Sequence, residues 1–423
     1  MSHLIKARQW TPTGAQTISK APERFPVGAY PIYLDRGEGA HCYDIDGNRY
    51  LDMICGLASM TLGYGRTQID EAIISQLRKG ISFSLSTKLE SELSERLCSI
   101  FPCGHNGAVR FVKTGSEAAE GAVRIARRAT ARDIIVVVKS GYHSWHSAFS
   151  AVKDSHPGCP RALESLIHGF IYNDLASLEA VLDDSVAAVM LEPTLNEKPN
   201  DQFLSDVQRL SYQAGALLIF DEVVCAGRWA RAGGQEYFGI TPDLATAGKS
   251  LANGMPLGCI IGSRELMSYA DVISGTFGGE TLSLAACQAV QDIYDSEPII
   301  DMLWQRGEQF QNGIRRVIDN TLLDGLAVCD GYPVKPRIRF MVQDQQTATL
   351  AMSLFVQELA EWGVLWHPAG GNISAAMTTG DIDMAIDVCE RAFIVVKHAM
   401  ETGDWSALYG KPIQPSQFVR GCA

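Results

Sequence analysis

Nothing in the 423-residue sequence is long and apolar enough to span a bilayer, and the opening MSHLIKARQW lacks the apolar run of a secretion signal. The 11 cysteines are scattered, without a CxxC pair or a Cys/His group at zinc spacing. That excludes a zinc module and a disulfide scaffold, and no metal is expected. Cys98 and Cys389 fall in apolar helical patterns, where a thiol acts as a small core residue. Basic residues are in deficit: Lys+Arg 36 stand against Asp+Glu 48, for a net charge of -12. Such a surface argues against nucleic acid or an anionic membrane as a partner and mildly favours a cationic substrate. No internal repeat, low-complexity tract or linker interrupts the chain. A soluble, cytoplasmic protein with reduced thiols is expected.

What remains is an ordinary globular composition, 46% hydrophobic and 20% charged, in a chain long enough for a large domain and a smaller one. Near the N-terminus GAHCYDIDGNRYLDM places two alternating runs around Asp46-Gly47-Asn48, a hairpin signal. From about Ala108 to Gly262 short apolar runs alternate with helical patterns: AVRFVK, DIIVVVK, VAAVMLEP and ALLIFDEVV are the strand-like ones. Apolar runs without alternation, separated by helices, predict a mostly parallel sheet covered on both faces, hence an α/β fold. A helical region from Leu282 to Ile318 follows, then PRIRFMV, a helix near Thr347–Trp362, GVLWHP, NISAAM and a last helix from Asp381. This tail reads as a smaller α/β domain, completed by the N-terminal hairpin.

Ligands of open α/β sheets collect at the carboxyl ends of the strands. Four features fall there. KTGSEAAEGAVRIARR puts Gly115, Ser116 and Glu117 between a strand and a helix, which makes either an anion site or a plain N-cap with an acidic first turn. LLIFDEVV ends an apolar strand with Asp221 and Glu222; such acids either hold a protonated heterocyclic nitrogen or form a structural pair. SGYHSWHS offers Tyr142 and His143 as an aromatic face over a flat ligand, or as ordinary half-buried aromatics. Last, PDLATAGKSLANGMPLG sets a single Lys249 between a short apolar segment and a glycine-rich loop. An amine beside an anion site and a buried aspartate is what a Schiff base to pyridoxal 5'-phosphate (PLP) requires. Each feature has a bland reading alone; together they point to one cofactor.

These segments resemble the class III, fold-type I, PLP-dependent aminotransferases, on the side of the glutamate-1-semialdehyde aminomutases. The block from LLIFDEVV to GKSLANGMPLG matches nearly throughout, and the N-terminal GAQTISK…YLDM, TGSEA and GYH match in order. The resemblance implies a fold-type I transferase: a large PLP-binding domain over residues 61–310, an N-terminal segment 1–60 joining the small domain, and a C-terminal small domain over 311–423. It implies that Lys249 forms the Schiff base and carries protons, that Asp221 binds the ring nitrogen, and that Val223 packs on the ring opposite Tyr142. His143 lies beside that ring, and Gly115, Ser116 and Glu117 belong to the phosphate segment. SGTFGGETLSLAA resembles the segment whose threonine reaches the neighbouring subunit's phosphate, which implies this role for Thr276 and a homodimer with active sites at the interface.

Departures from the family pattern bear on the substrate. Val224 stands where many members have glutamine, and Glu280-Thr281 replaces Asn-Pro. The stretch HPAGGNISAAMTTGDID has no arginine to clamp a carboxylate, only His367, Asn372 and Ser374. The GAQTISK, TFGGETLSLAA and HPAGGNISAA variants look most like the members that work on sugars or aminocyclitols, whose hydroxyls and amines need hydrogen-bond acceptors. Glu197, Glu280, His367 and Asn372 are the candidate substrate contacts. The expected reaction is aminotransfer from an amino acid such as glutamate, with a PLP-dependent isomerase (aminomutase or epimerase) as the alternative.

Overall fold

The computed structural model describes residues 2–150, 152, 158–323, 325–342 and 344–414. Along the chain come β1 (Leu34–Glu38), β2 (His41–Asp44), β3 (Arg49–Asp52), β4 (Gly107–Val112), β5 (Ile134–Val138), β6 (Ile167–Phe170) and β7 (Val186–Leu191). They continue with β8 (Leu217–Asp221), β9 (Leu244–Ala247), β10 (Gly258–Ser263), β11 (Ala327–Tyr332), β12 (Lys335–Phe340) and β13 (Val364–Leu365). The chain divides into two compact units, one built on Met1–Arg66 and Asp301–Gln417, the other on Thr67–Ile300.

The Thr67–Ile300 unit carries a seven-stranded sheet in the order β4-β10-β9-β8-β7-β5-β6. The pairs from β9 through β8, β7 and β5 to β6 are parallel, and β10 runs antiparallel to both of its neighbours. Alternation along β5 assigns each face its core. Ile135 and Val137 pack into one cluster with the Gly115–Thr130 helix, while Val136 and Val138 enter a second with Phe203, Leu204 and Val207 of the Phe203–Gln213 helix. This is the covered, mostly parallel sheet expected from unbroken apolar runs, an α/β architecture. Small residues bring the first helix close: a methyl at Gly121 would stand 2.5 Å from Ile260 Cδ1.

In the other unit β1, β2, β3 and β13 form a sheet, with β13 parallel to β3 and Val364 opposite Leu51. The β2–β3 hairpin is closed by the Asp44 carboxylate, which accepts bonds from the backbone N–H groups of Asp46 and Asn48 and from Tyr50 Oη. Two sequence expectations change. The NISAAM run forms no strand, because its N–H groups bond three separate segments: Asn372 to Met53, Ile373 to Val334 and Ala375 to Thr61. The helical region is two helices, Thr281–Ser296 and Ile299–Asn320, because Pro298 forces Glu297 into extended backbone.

Candidate active site

β8 leads to Asp221, and the parallel register with β9 sets Asp221 opposite Thr246. Asp221 is 3% exposed. Burial of an acid costs free energy unless its oxygens are bonded, and here three donors meet the cost. Oδ1 accepts from the Val223 N–H at 3.1 Å and the Thr246 hydroxyl at 3.2 Å, and Oδ2 lies 2.8 Å from His143 Nδ1. The far nitrogen of the same ring, Nε2, is buried without a hydrogen-bond partner. His143 thus faces Asp221 from the end of β5.

Lys249 follows Thr246 by three residues and opens a short 3₁₀ turn, Lys249–Ala252. Its φ of +45° lies in the left-handed region, a conformation that costs a non-glycine residue on the order of 1–3 kcal/mol and concentrates at functional sites. The surrounding small residues have geometric reasons. A methyl on Gly258 would stand 2.5 Å from the Thr114 carbonyl oxygen, so only glycine lets the end of the lysine loop lie on the turn before the Gly115–Thr130 helix.

That turn is capped by Thr114, whose hydroxyl accepts from the Glu117 N–H. Glu117 Oε2 returns the favour to the N–H groups of Lys113 at 2.7 Å and Thr114 at 3.0 Å. Glu117 is therefore committed to its own helix. The backbone N–H groups of Gly115 and Ser116, and the Ser116 hydroxyl, have no protein partner among the described residues. Two free donors and a hydroxyl at the start of a 16-residue helix form an anion cradle. Val223 packs beneath it: a methyl on Gly115 would meet Val223 Cγ1 at 2.8 Å, and one on Gly248 would meet it at 3.5 Å.

Glu222 points away from Asp221 and is fully buried. It accepts from the N–H groups of Gly234 at 2.7 Å and Gln235 at 2.8 Å and from Cys225 Sγ at 2.6 Å. Burial outweighs these donors and pushes its carboxyl up to about 7.

Glu280 is engaged at both oxygens. Oε1 caps the Thr281–Ser296 helix through the N–H groups of Leu282 and Ser283, and Oε2 pairs with Lys113 Nζ at 2.6 Å. Hydrogen bonds to Lys113 and Ser283 outweigh partial burial and hold its carboxyl below its usual value. The surface expected to offer Glu280 to a substrate thus has that acid tied inward. Thr276 lies exposed in the preceding turn, beside exposed Phe277. Tyr142 is 40% exposed, its N–H 3.4 Å from Glu192 Oε1 at the end of β7. Glu197 is exposed on the loop after β7, and Val224 is half-buried. In the other unit Asn372 is buried: its Nδ2 donates to the Ile54 carbonyl, and its Oδ1 has no hydrogen-bond partner. Nearby, the Ser374 hydroxyl bonds the Thr61 carbonyl and His367 Nδ1 accepts from the Ala369 N–H.

Sequence reasoning missed Thr246, Lys113 and Ser283. The Thr246 signal was available, since a polar residue inside the apolar LATA segment faces either a neighbour or a core. Lys113 and Ser283 had none, because their contacts join segments about 170 residues apart.

Residues 25–373 match the family model for class-III aminotransferases. The chain is 32% identical to the 3-aminobutyryl-CoA aminotransferase of Cloacimonas acidaminovorans over 412 residues, which is 94% of this chain and 97% of that protein. It is 33% identical to the glutamate-1-semialdehyde 2,1-aminomutase of Methanococcoides burtonii over 340 residues, 75% of this chain and 79% of that one. An omega-transaminase structure from Sphaerobacter thermophilus superposes with a TM-score of 0.85 at 25% identity, covering 94% of this chain and 97% of the other. A match across most of the chain, on a fold whose strand ends carry a buried aspartate, a left-handed lysine and an anion cradle, makes this protein a member of the class-III aminotransferases, enzymes that depend on pyridoxal 5'-phosphate.

Proposed function

We propose that this enzyme moves an amino group from an amino acid donor, glutamate first, to a carbonyl carbon of a sugar, amino sugar or aminocyclitol precursor. The observation that carries the chemistry is the alignment of Asp221 with Thr246, three residues before Lys249. The residues present suit PLP. The unpartnered donors of Gly115 and Ser116 match a phosphate, and the buried Asp221, fixed by three partners, matches a protonated ring nitrogen. When bound, PLP supplies an aldehyde that takes up the amino group and a ring that accepts electron density from the substrate Cα–H bond.

The chain's own residues do the rest. Gly115 and Ser116 bind the phosphate. Asp221, oriented by His143, Thr246 and the Val223 N–H, holds the proton on the ring nitrogen. Val223 and Tyr142 would hold the ring. Lys249 would hold the group through its ε-amine and would move the proton at the substrate carbon. Thr276, in an exposed turn, would serve the phosphate site of a second copy. The exposed Phe277, Ile81 and Phe83 are the kind of apolar surface that a homodimer covers.

The acceptor class rests on what replaces a carboxylate clamp. The 367–383 stretch contains no arginine that could clamp a carboxylate. Glu197 adds an exposed acid after a strand end.

Half-reaction spectroscopy tests this reading. The loaded enzyme is titrated with glutamate and other amino donors, then with keto sugars, amino sugars, β-keto acyl thioesters and glutamate 1-semialdehyde. Recovery of the starting spectrum with a keto sugar or aminocyclitol precursor is the expected result, and Lys249→Ala abolishes turnover and the lysine-bound absorbance. Recovery with acyl thioesters alone overturns the substrate class. Catalytic inversion, or nitrogen transfer within one substrate, without any keto acid transfers the assignment to an isomerase.

A further inference from the structure

We propose that Lys113, through its ion pair with Glu280, is a positioning residue for the phosphate of PLP. The inference rests on reading Gly115 and Ser116 as the phosphate cradle.

Lys113 sits at the joint between β4 and the Thr114 cap. Its backbone N–H is fixed by Glu117 Oε2 on the helix that follows. Its side chain reaches the other way, to Glu280 Oε2 at 2.6 Å and Ser283 Oγ at 3.0 Å. Glu280 in turn caps the Thr281–Ser296 helix, and Ser283 Oγ lies 3.1 Å from the Pro256 carbonyl in the loop after Lys249. One ammonium therefore ties three segments together: the turn that presents the Gly115 and Ser116 donors, the lysine loop, and the helix that follows Thr276. The Lys113 and Glu280 side chains are 19% and 10% exposed.

A pair this enclosed gains little net stability over well-packed apolar residues, because both charges lose their water. What it supplies is direction: the carboxylate accepts only along its lone pairs, so the joint at residue 113 has one preferred geometry. Donors at a helix start bind an anion well only when they are held in place before it arrives. The pair sits where it can do that, one residue from the cap and two from the first free donor.

The test uses Lys113→Met, Glu280→Gln, the double variant, Lys113→Arg and Ser116→Ala, each compared with the intact enzyme. Dissociation constants are measured for PLP and for pyridoxal, which lacks the phosphate, at a temperature where every apoenzyme tested is folded. Lys113→Met and Glu280→Gln are expected to weaken PLP at least about tenfold while changing pyridoxal less than about threefold. The double variant regains part of the loss, since no charge is left unpaired, and Lys113→Arg stays within a few-fold of the parent. Equal PLP affinities in folded Lys113→Met and Glu280→Gln overturn the proposal, as does an equal loss for PLP and pyridoxal. Should Lys113→Met fail to fold, Glu280→Gln and Lys113→Arg decide by the same ratio. Ser116→Ala separates the two levels: if it leaves PLP binding unchanged the cradle itself is misassigned, whereas a loss there without one at Lys113 removes only the positioning role.

Discussion

Asp221 Oδ2 and His143 Nδ1 meet at 2.8 Å, with both side chains almost wholly enclosed. The two residues come from different strand ends, 78 positions apart, so the contact is a product of the sheet order rather than of local sequence. It fixes the plane of the Asp221 carboxylate in concert with Thr246 and the Val223 N–H, leaving little freedom for the acid to turn.

His143→Leu removes one of those three donors without adding charge. A hydrogen bond to a charged group is worth about 1.5–3 kcal/mol, so kcat is expected to fall roughly 10- to 100-fold. His143→Asn, whose amide can donate to the same oxygen, recovers part of the loss. Asp221→Asn falls further than either, because it removes the charge and not only its orientation. Steady-state kcat and KM for the three variants check the order; wild-type kcat in His143→Leu would remove His143 from the site.

Much of this arrangement was legible in the residues. Unbroken apolar runs such as IIVVV and VAAVML announced buried parallel strands, and the acid closing LLIFD stood out because an apolar strand has no cheap place for it. Other parts were hidden for physical reasons. Glu280 has the chemistry of a substrate acceptor, and only tertiary structure brings Lys113 to it. Glu117 belongs to a capping box with Thr114, in line with the acidic first turn of an N-cap that the sequence offered beside the anion site. NISAAM is a short run in the C-terminal tail whose backbone bonds are dispersed over three neighbours, which no periodicity discloses.

Glu222 makes stability depend on pH near neutrality. Its folded value of about 7 exceeds the ordinary 4.5, so between those limits the native state binds more proton than the unfolded chain. The stability it contributes is full below about pH 4.5 and is lost as pH rises through about 7, a change of about 3 kcal/mol for this completely buried group. Glu222→Gln cannot titrate and lacks that slope. Denaturant unfolding of both proteins from pH 5 to 8.5 should show the advantage of the parent shrinking as pH rises; parallel curves would mean the acid is already ionised throughout.

Gly115 and Val223 give the sharpest test of how the cradle is built. A methyl at position 115 would stand 2.8 Å from Val223 Cγ1 and 3.0 Å from Cγ2, closer than carbon atoms tolerate. Alanine suits a first helical turn at least as well as glycine, so any loss in Gly115→Ala comes from this contact and not from helix propensity. Overpacking of this kind costs about 1–3 kcal/mol, and its relief requires a displacement of Val223 or of the turn that carries the Gly115 N–H. PLP affinity in Gly115→Ala is expected to drop about tenfold or more, as read from cofactor absorbance on dialysis. Adding Val223→Ala removes both methyl groups that the new one strikes and should restore at least half of the lost binding free energy, although Val223→Ala alone weakens the support of the ring. Recovery in the double variant identifies the Gly115–Val223 contact as the cause. A double variant no better than the sum of its parts would locate the damage in the Gly115 backbone itself, where the free N–H would then have been displaced by the substitution.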